Sequence, residues 1–367
     1  MTMRIAILGQ SNSILKEGFF NKFLDRHQPI DVVSTGRVGA SPSLLGPYFA
    51  DRAFFRNAEF CIVDMCAIDF SLLSAGAIGL YDVVKWIEWI GHSAKRNGCE
   101  PIFVCIPVST VEYSKHLISN CISVFERNEW FYLDVRDCIA QLLEGGTGRP
   151  ETLYKDPSHP GVELSELIAD SLKELIDEIR AMPMVAVDRM FPITRFEVIN
   201  LQDRLAAPVA NYKTSLIEFR GVRLERGKSY ELKLGGISAL SGMMLNSAAC
   251  KGVLEIEGDR KFNKNLRLRA YHPTPVEVRL VPICKPLRDA DGTIALTVVD
   301  GAATESDTTF HSTKAPEDDL GFVEASEIMV ERGYDLFTYG SRRPANGQML
   351  RWAPKSARKL AQVSWER

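Results

Sequence analysis

Five short apolar runs without polar alternation punctuate the first half of the chain: Arg4–Leu8, Ile30–Ser34, Glu59–Met65, Pro101–Pro107 and Trp130–Val135. Such runs are expected of strands covered on both faces, as in parallel sheets. Between them, Ser13–Phe23, Ser43–Phe55, Ala75–Asn97 and Val111–Asn128 place apolar residues three and four apart, the spacing of one helix face. A last helix is expected from about Pro160 to Arg180, the proline being suited to its first turn. The alternation predicts a five-stranded parallel sheet with helices on both faces. Ligands of such sheets sit at the carboxyl ends of the strands.

After residue 180 the texture changes. Residues 1–182 read as the α/β domain, and 183–210, with Pro183 and Pro192, as a connector. Residues 211–340 are expected to form an antiparallel β-sandwich or jelly-roll. Its strands are expected at Ser215–Leu224, Ser229–Leu234, Val253–Glu257, Leu266–Tyr271, Val276–Ile283, Thr293–Val299 and Phe322–Val330. Residues 341–367 read as a basic surface arm.

Composition excludes more than it identifies. The 367 residues are 46% hydrophobic and 25% charged, ordinary globular values. A net charge of −3 gives no reason to expect nucleic acid or an acidic membrane as partner. No run approaches the ~18 apolar residues of a membrane span. The eight cysteines fall mostly inside apolar runs and form no C-x-x-C pair. They are expected to be buried free thiols in a cytoplasmic protein. His27, His92, His116, His272 and His311 show no ligand spacing, so neither a metal nor another cofactor is expected.

The chemistry is concentrated at two turns. In Leu8-Gly9-Gln10-Ser11-Asn12-Ser13, Gly9 permits a sharp turn where the first strand stops. Ser11 then lies near the start of the first helix, where backbone N–H groups can hold an oxyanion. A serine hydroxyl needs a base oriented by a third group. Asp156-Pro157-Ser158-His159-Pro160 offers both. The Asp156 carboxylate can reach Nδ1 of His159 and leave Nε2 for the serine, while two prolines stiffen the turn. Taken alone, Gly-x-Ser-Asn can simply cap a helix, and Asp-x-x-His is common in turns. Together, both fall at the carboxyl edge of the predicted sheet.

Gly9-Gln10-Ser11-Asn12 resembles the first motif of the SGNH/GDSL hydrolases, in the form seen in carbohydrate esterases, and Asp156-x-x-His159 resembles the last. The resemblance covers roughly residues 1–180. It implies a flavodoxin-like fold, with Ser11 as nucleophile, His159 as base and Asp156 as acid. After strand two the family has an oxyanion glycine. Gly39 is the better match here, Gly36 the alternative. Gln10, Asn12 and Asp69 are the further candidates for oxyanion or substrate contact. The family's Gly-x-Asn-Asp is replaced by Cys66-Ala67-Ile68-Asp69, so Ile68 stands where the Asn donor is expected.

The resemblance implies a carbohydrate or glycan ester as substrate and a serine esterase acting on short acyl groups. Two alternatives accompany it: an O-acyltransferase in surface-polysaccharide modification, and a non-catalytic glycan-binding protein on a decayed scaffold. The β-rich half is expected to serve packing, glycan contact or homo-oligomerisation.

Overall fold

The computed structural model describes residues 2–9, 11–36, 46, 48–49, 53–144, 148–182, 195–214, 218–235, 238–268, 275–288, 292–300, 308–309, 312 and 321–332. Five parallel strands form the first sheet: β1 (Met3–Leu8), β2 (Ile30–Gly36), β3 (Phe60–Met65), β4 (Glu100–Cys105) and β5 (Phe131–Asp134). Their order, β2-β1-β3-β4-β5, is flavodoxin-like and reverses between β1 and β3. That reversal opens a crevice at the carboxyl end of β1.

Both faces of the sheet are covered, which explains the unalternated runs. Ile5, Ile7, Ile62, Ile102 and Val104 pack beneath α2 (Phe19–Arg26), α6 (Val135–Leu143) and α7 (Val162–Ala181). Ala6, Leu8, Val63 and Phe103 face α4 (Leu80–Arg96) and α5 (Val111–Arg127). The helix expected over 13–23 is broken. It becomes α1 (Ser11–Ile14) and α2, separated by a turn in which Gly18 is extended (φ −75°, ψ 154°) and lies so close to the Asn12 carbonyl oxygen that a Cβ would be 2.1 Å from it. The Asn21 amide donates to the carbonyls of Ile14 and Leu15 at the break, at 3.0 and 2.8 Å, and the Leu15 carbonyl also accepts the Gly18 N–H at 2.8 Å. A short helix not expected from the pattern, α3 (Ala67–Ser74), follows β3. The helix expected over 43–55 falls largely outside the described residues.

The β-rich half is antiparallel. One sheet holds β15 (Val278–Arg288), β12 (Ser238–Asn246), β17 (Phe322–Arg332), β10 (Glu218–Glu225) and β9 (Val209–Lys213), with β8 (Arg195–Asn200) paired to the far end of β17. The other holds β11 (Ser229–Lys233), β16 (Thr293–Val299), β13 (Val253–Glu257) and β14 (Lys261–Asn265). Leu240, Leu245, Leu254, Ile256, Leu296 and Val330 fill the space between the sheets. Two expectations need correction. The 183–210 segment carries β8 and the first residues of β9. Of the strand expected over 266–271, residues 269–271 lie outside the described residues, and β14 ends at Asn265, just before the buried Leu266 and Leu268. The arm expected over 341–367 lies outside the described residues.

The larger β-sheet packs on the α/β domain through α4. Phe196 of β8 meets Trp89 edge-on at 5.5 Å, and Met244, Leu280 and Met329 join the same core. Lys85 crosses this boundary to Glu331 at 2.5 Å, and Tyr48 donates to Glu327. β12 is therefore buried at every position, between two cores.

His92, on α4, packs edge-on against Trp130 at 5.0 Å. Burial, aided by Arg96 and Arg127, lowers its pKa from 6.5 to about 4. An unfolded His92 would take up its proton near pH 6.5 and the folded one only near 4. Stability from this group is therefore complete above pH 6.5 and is lost as pH falls toward 4. Thermal unfolding from pH 7 to 4 is expected to show a shallower decline in His92→Gln than in the wild type.

Candidate active site

Ser11 opens α1 directly after the crevice-lining end of β1. The turn is tight because Gly9 packs against the chain that follows it. A Cβ on Gly9 would lie 2.3 Å from Ser13 Oγ and 3.1 Å from Asp64 Cβ. Ser13, inside α1, is fully buried against this turn.

Asp156 and His159 face each other across a small hairpin, Tyr154–Asp156 (β6) and His159–Pro160 (β7), just before α7. His159 Nδ1 lies 2.7 Å from both Asp156 carboxylate oxygens, and His159 Nε2 lies 2.6 Å from Ser11 Oγ. With Nδ1–H directed at the carboxylate, Nε2 is left as an acceptor facing the serine hydroxyl. Partial burial opposes the charge on Asp156, but the Ser158 N–H and His159 outweigh it and hold the carboxyl below its usual range. Asp156 is thus an anion at neutral pH.

The hairpin is braced from the loop that follows β4. The Ser109 N–H donates to the Pro157 carbonyl at 2.8 Å, and the Tyr154 hydroxyl donates to the Pro107 carbonyl at 2.8 Å. Burial raises the Tyr154 pKa, so this hydroxyl stays a donor. The Asn12 amide reaches the Ser158 carbonyl at 3.4 Å, linking the serine turn to the histidine hairpin. The bracing carbonyls carry no side-chain signature, so the residue pattern did not reveal them.

The remaining candidates separate. Gln10 and Gly39 lie outside the described residues. Gly36 ends β2, and its carbonyl accepts the Gly9 N–H at 3.1 Å. Asn12 is buried and turned toward the hairpin. Asp69 is corrected: it is fully buried, and its carboxylate accepts the Cys66 N–H at 2.8 Å. It caps α3 and has no surface to offer a substrate. Cys66 itself has φ +85°, a left-handed value that favours glycine, at the position where the resemblance places one. Ile68 is partly exposed and packs against the domain core, an apolar group where an amide donor was expected.

Other nucleophiles are poor. The seven described cysteines are free and buried, and burial pushes the Cys66 thiol well above its usual range and Cys138 up to about 12. Among the described residues, no cluster could hold a metal ion, and no helix is long and apolar enough to cross a membrane.

The whole architecture matches the crystal structure of a two-domain esterase active on acetylated mannans. The match has a TM-score of 0.58 at 10% identity, covering 91% of this chain and 92% of that one. The chain shares the two-domain fold of that esterase, a flavodoxin-like α/β domain followed by an antiparallel β-domain. The same esterase co-crystallised with mannopentaose aligns equally well. A lipolytic protein of the G-D-S-L family from Desulfitobacterium hafniense aligns at TM-score 0.38 and 13% identity, over 47% of this chain and 99% of its own. No family model matches the chain, and no curated protein matches it by sequence.

Proposed function

We propose that this protein is a serine esterase that removes short acyl groups, acetyl foremost, from hydroxyls of a carbohydrate. The observation that carries the reading is the unbroken chain from Ser11 Oγ through His159 to Asp156, with links of 2.6 and 2.7 Å. In this reading Ser11 Oγ attacks the ester carbonyl while His159 Nε2 takes its proton. The Asp156 carboxylate stabilises the imidazolium. The tetrahedral oxyanion is held by the Ser11 N–H and, as proposed, the Gly39 N–H. Collapse breaks the bond between the acyl carbon and the sugar oxygen, which takes the proton from His159 and leaves as a hydroxyl. Water then attacks the acyl-enzyme by the same route and releases the acid. The carbohydrate part of the proposal is supported by the likeness to an esterase active on acetylated mannans.

Acetate release from O-acetylated mannan and from ethyl acetate tests the reading. Turnover of both is expected. Ester consumption with the acyl group recovered on an added sugar would point to transfer, and no turnover of either would overturn it.

Ile68 favours a slow enzyme, since loss of one oxyanion donor costs on the order of 10²–10³ in kcat. Ile68→Asn is therefore expected to raise kcat for ethyl acetate by about 10-fold or more, with KM little changed. A variant no faster than the wild type would show that the oxyanion has no vacant place beside α3.

A further inference from the structure

The short helix that carries Ser11 has a closed face and an open one. Asn12 and Ser13 are buried. Ser11 is partly exposed, and Ile14 and Leu15 stand in the solvent, at 49% and 37% exposure. The Leu15 N–H donates to the Ser11 carbonyl at 2.8 Å, so the helical turn that Ser11 opens is closed at Leu15. Residues three and four apart are neighbours on a helix surface, and their side chains lean back toward the helix N-terminus. Ile14 and Leu15 stand three and four residues after Ser11, so both lean toward it. Their exposed apolar surface therefore lies beside the reacting hydroxyl.

Direction around α1 separates the two halves of the ester. Successive residues step about 100° around a helix, which puts Asn12 and Ile14 on opposite flanks of Ser11. The Asn12 flank faces the histidine hairpin, where its amide reaches the Ser158 carbonyl at 3.4 Å. His159 Nε2 must return its proton to the oxygen that leaves, so the alcohol half of the ester lies toward the hairpin. The acyl half is left with the flank of Ile14.

We propose that Ile14, with Leu15 beside it, forms an apolar shelf that holds the acyl group. The proposal rests on the esterase reading and widens its acyl group. Acetyl meets the shelf with its one methyl, whereas propionyl and butyryl cover more of it, and each methylene taken out of water favours binding.

The test compares chain lengths in two arms. In the first, kcat/KM of the wild type is expected to be about fivefold higher for ethyl butyrate than for ethyl acetate. Ile14→Ser is expected to bring this ratio below about twofold, and Ile14→Leu, which conserves the apolar volume, to keep most of it. A ratio taken within one variant does not depend on how much of that variant is folded. The second arm needs no turnover. Ethyl 4-nitrophenyl methylphosphonate and its propylphosphonate counterpart place their alkyl group where the acyl chain would lie. Ser11 Oγ attacks phosphorus, 4-nitrophenolate leaves, and the serine proton passes to His159. The propyl probe is expected to label Ser11 faster than the methyl probe, and Ile14→Ser to narrow that difference. The shelf is overturned if, in either arm that reacts, the longer chain gains nothing in the wild type or Ile14→Ser keeps the preference. Ester turnover without a chain preference would leave the esterase reading standing. Chain-dependent labelling of Ser11 without turnover of any ester would leave the shelf standing and overturn that reading instead. Neither labelling nor turnover would overturn both.

Discussion

Replacing Ser11 by alanine is expected to lower kcat for ester hydrolysis by about 10⁴-fold or more, while the unfolding free energy stays within about 1 kcal/mol of the wild type. The size follows from the unit it breaks. With no hydroxyl at 2.6 Å from His159 Nε2, the base has no proton to take and Asp156 no imidazolium to stabilise. His159→Ala is expected to cost a comparable factor, and the double variant little more than either single one. Paired rate and denaturant-unfolding measurements separate this outcome from a folding defect. A Ser11→Ala enzyme with more than about a tenth of the wild-type kcat would contradict the assignment.

The largest stability effect is expected far from the site, where Lys85 joins the two halves. Lys85 and Glu331 are only 4% and 7% exposed at their side chains. Asp82 lies 3.4 Å from Lys85 and also caps α4 by accepting the Gly79 N–H at 3.0 Å. Burial works against the Lys85 charge, but Glu331 and Asp82 together hold its pKa above the ordinary value. Glu331→Ala leaves that ammonium buried with Asp82 as its remaining carboxylate partner, at 3.4 Å, and a broken buried pair costs about 3–5 kcal/mol. The lower end is expected, because Asp82 remains. Lys85→Met with Glu331→Leu removes both charges and fills the space, so it is expected to recover most of the loss. Denaturant unfolding of the three variants reads this directly. A Glu331→Ala loss below about 0.5 kcal/mol would mean that the pair does not fasten the sheet to α4.

The parallel sheet was legible because strands covered on both faces must be apolar throughout, and β1 to β5 lie on or within two residues of the apolar runs. The β-rich half was less so, for reasons visible in particular strands. β12 is buried on both faces, yet Ser238, Ser241, Gly242 and Asn246 interrupt its apolar residues, so neither alternation nor a continuous run announced it. β14, KFNKN, looks like a turn, but its Lys264 is buried and donates to the Thr308 carbonyl at 3.1 Å. β8 lies in a stretch whose prolines suggested a linker, and only pairing with the distant β17 makes it a strand.

The site divides in the same way. Ser11 and the Asp156–His159 turn were recognisable because strand ends place residues at the sheet edge irrespective of their side chains. The role of Asp69 was hidden, because a carboxylate beside a strand end reads alike whether it meets a substrate or caps the next helix. Only its contact with the Cys66 N–H decides between these.

The central claim is that Ser11 is a nucleophile activated by His159, and a small fluorophosphonate followed by intact-mass and peptide mass spectrometry tests it most directly. Ser11 Oγ should displace fluoride from phosphorus and add one organophosphoryl group per chain. The adduct should map to Ser11, be absent from Ser11→Ala, and form far more slowly in His159→Ala. A wild-type protein that takes up no label, or a Ser11→Ala variant that takes up as much as the wild type, would contradict the account.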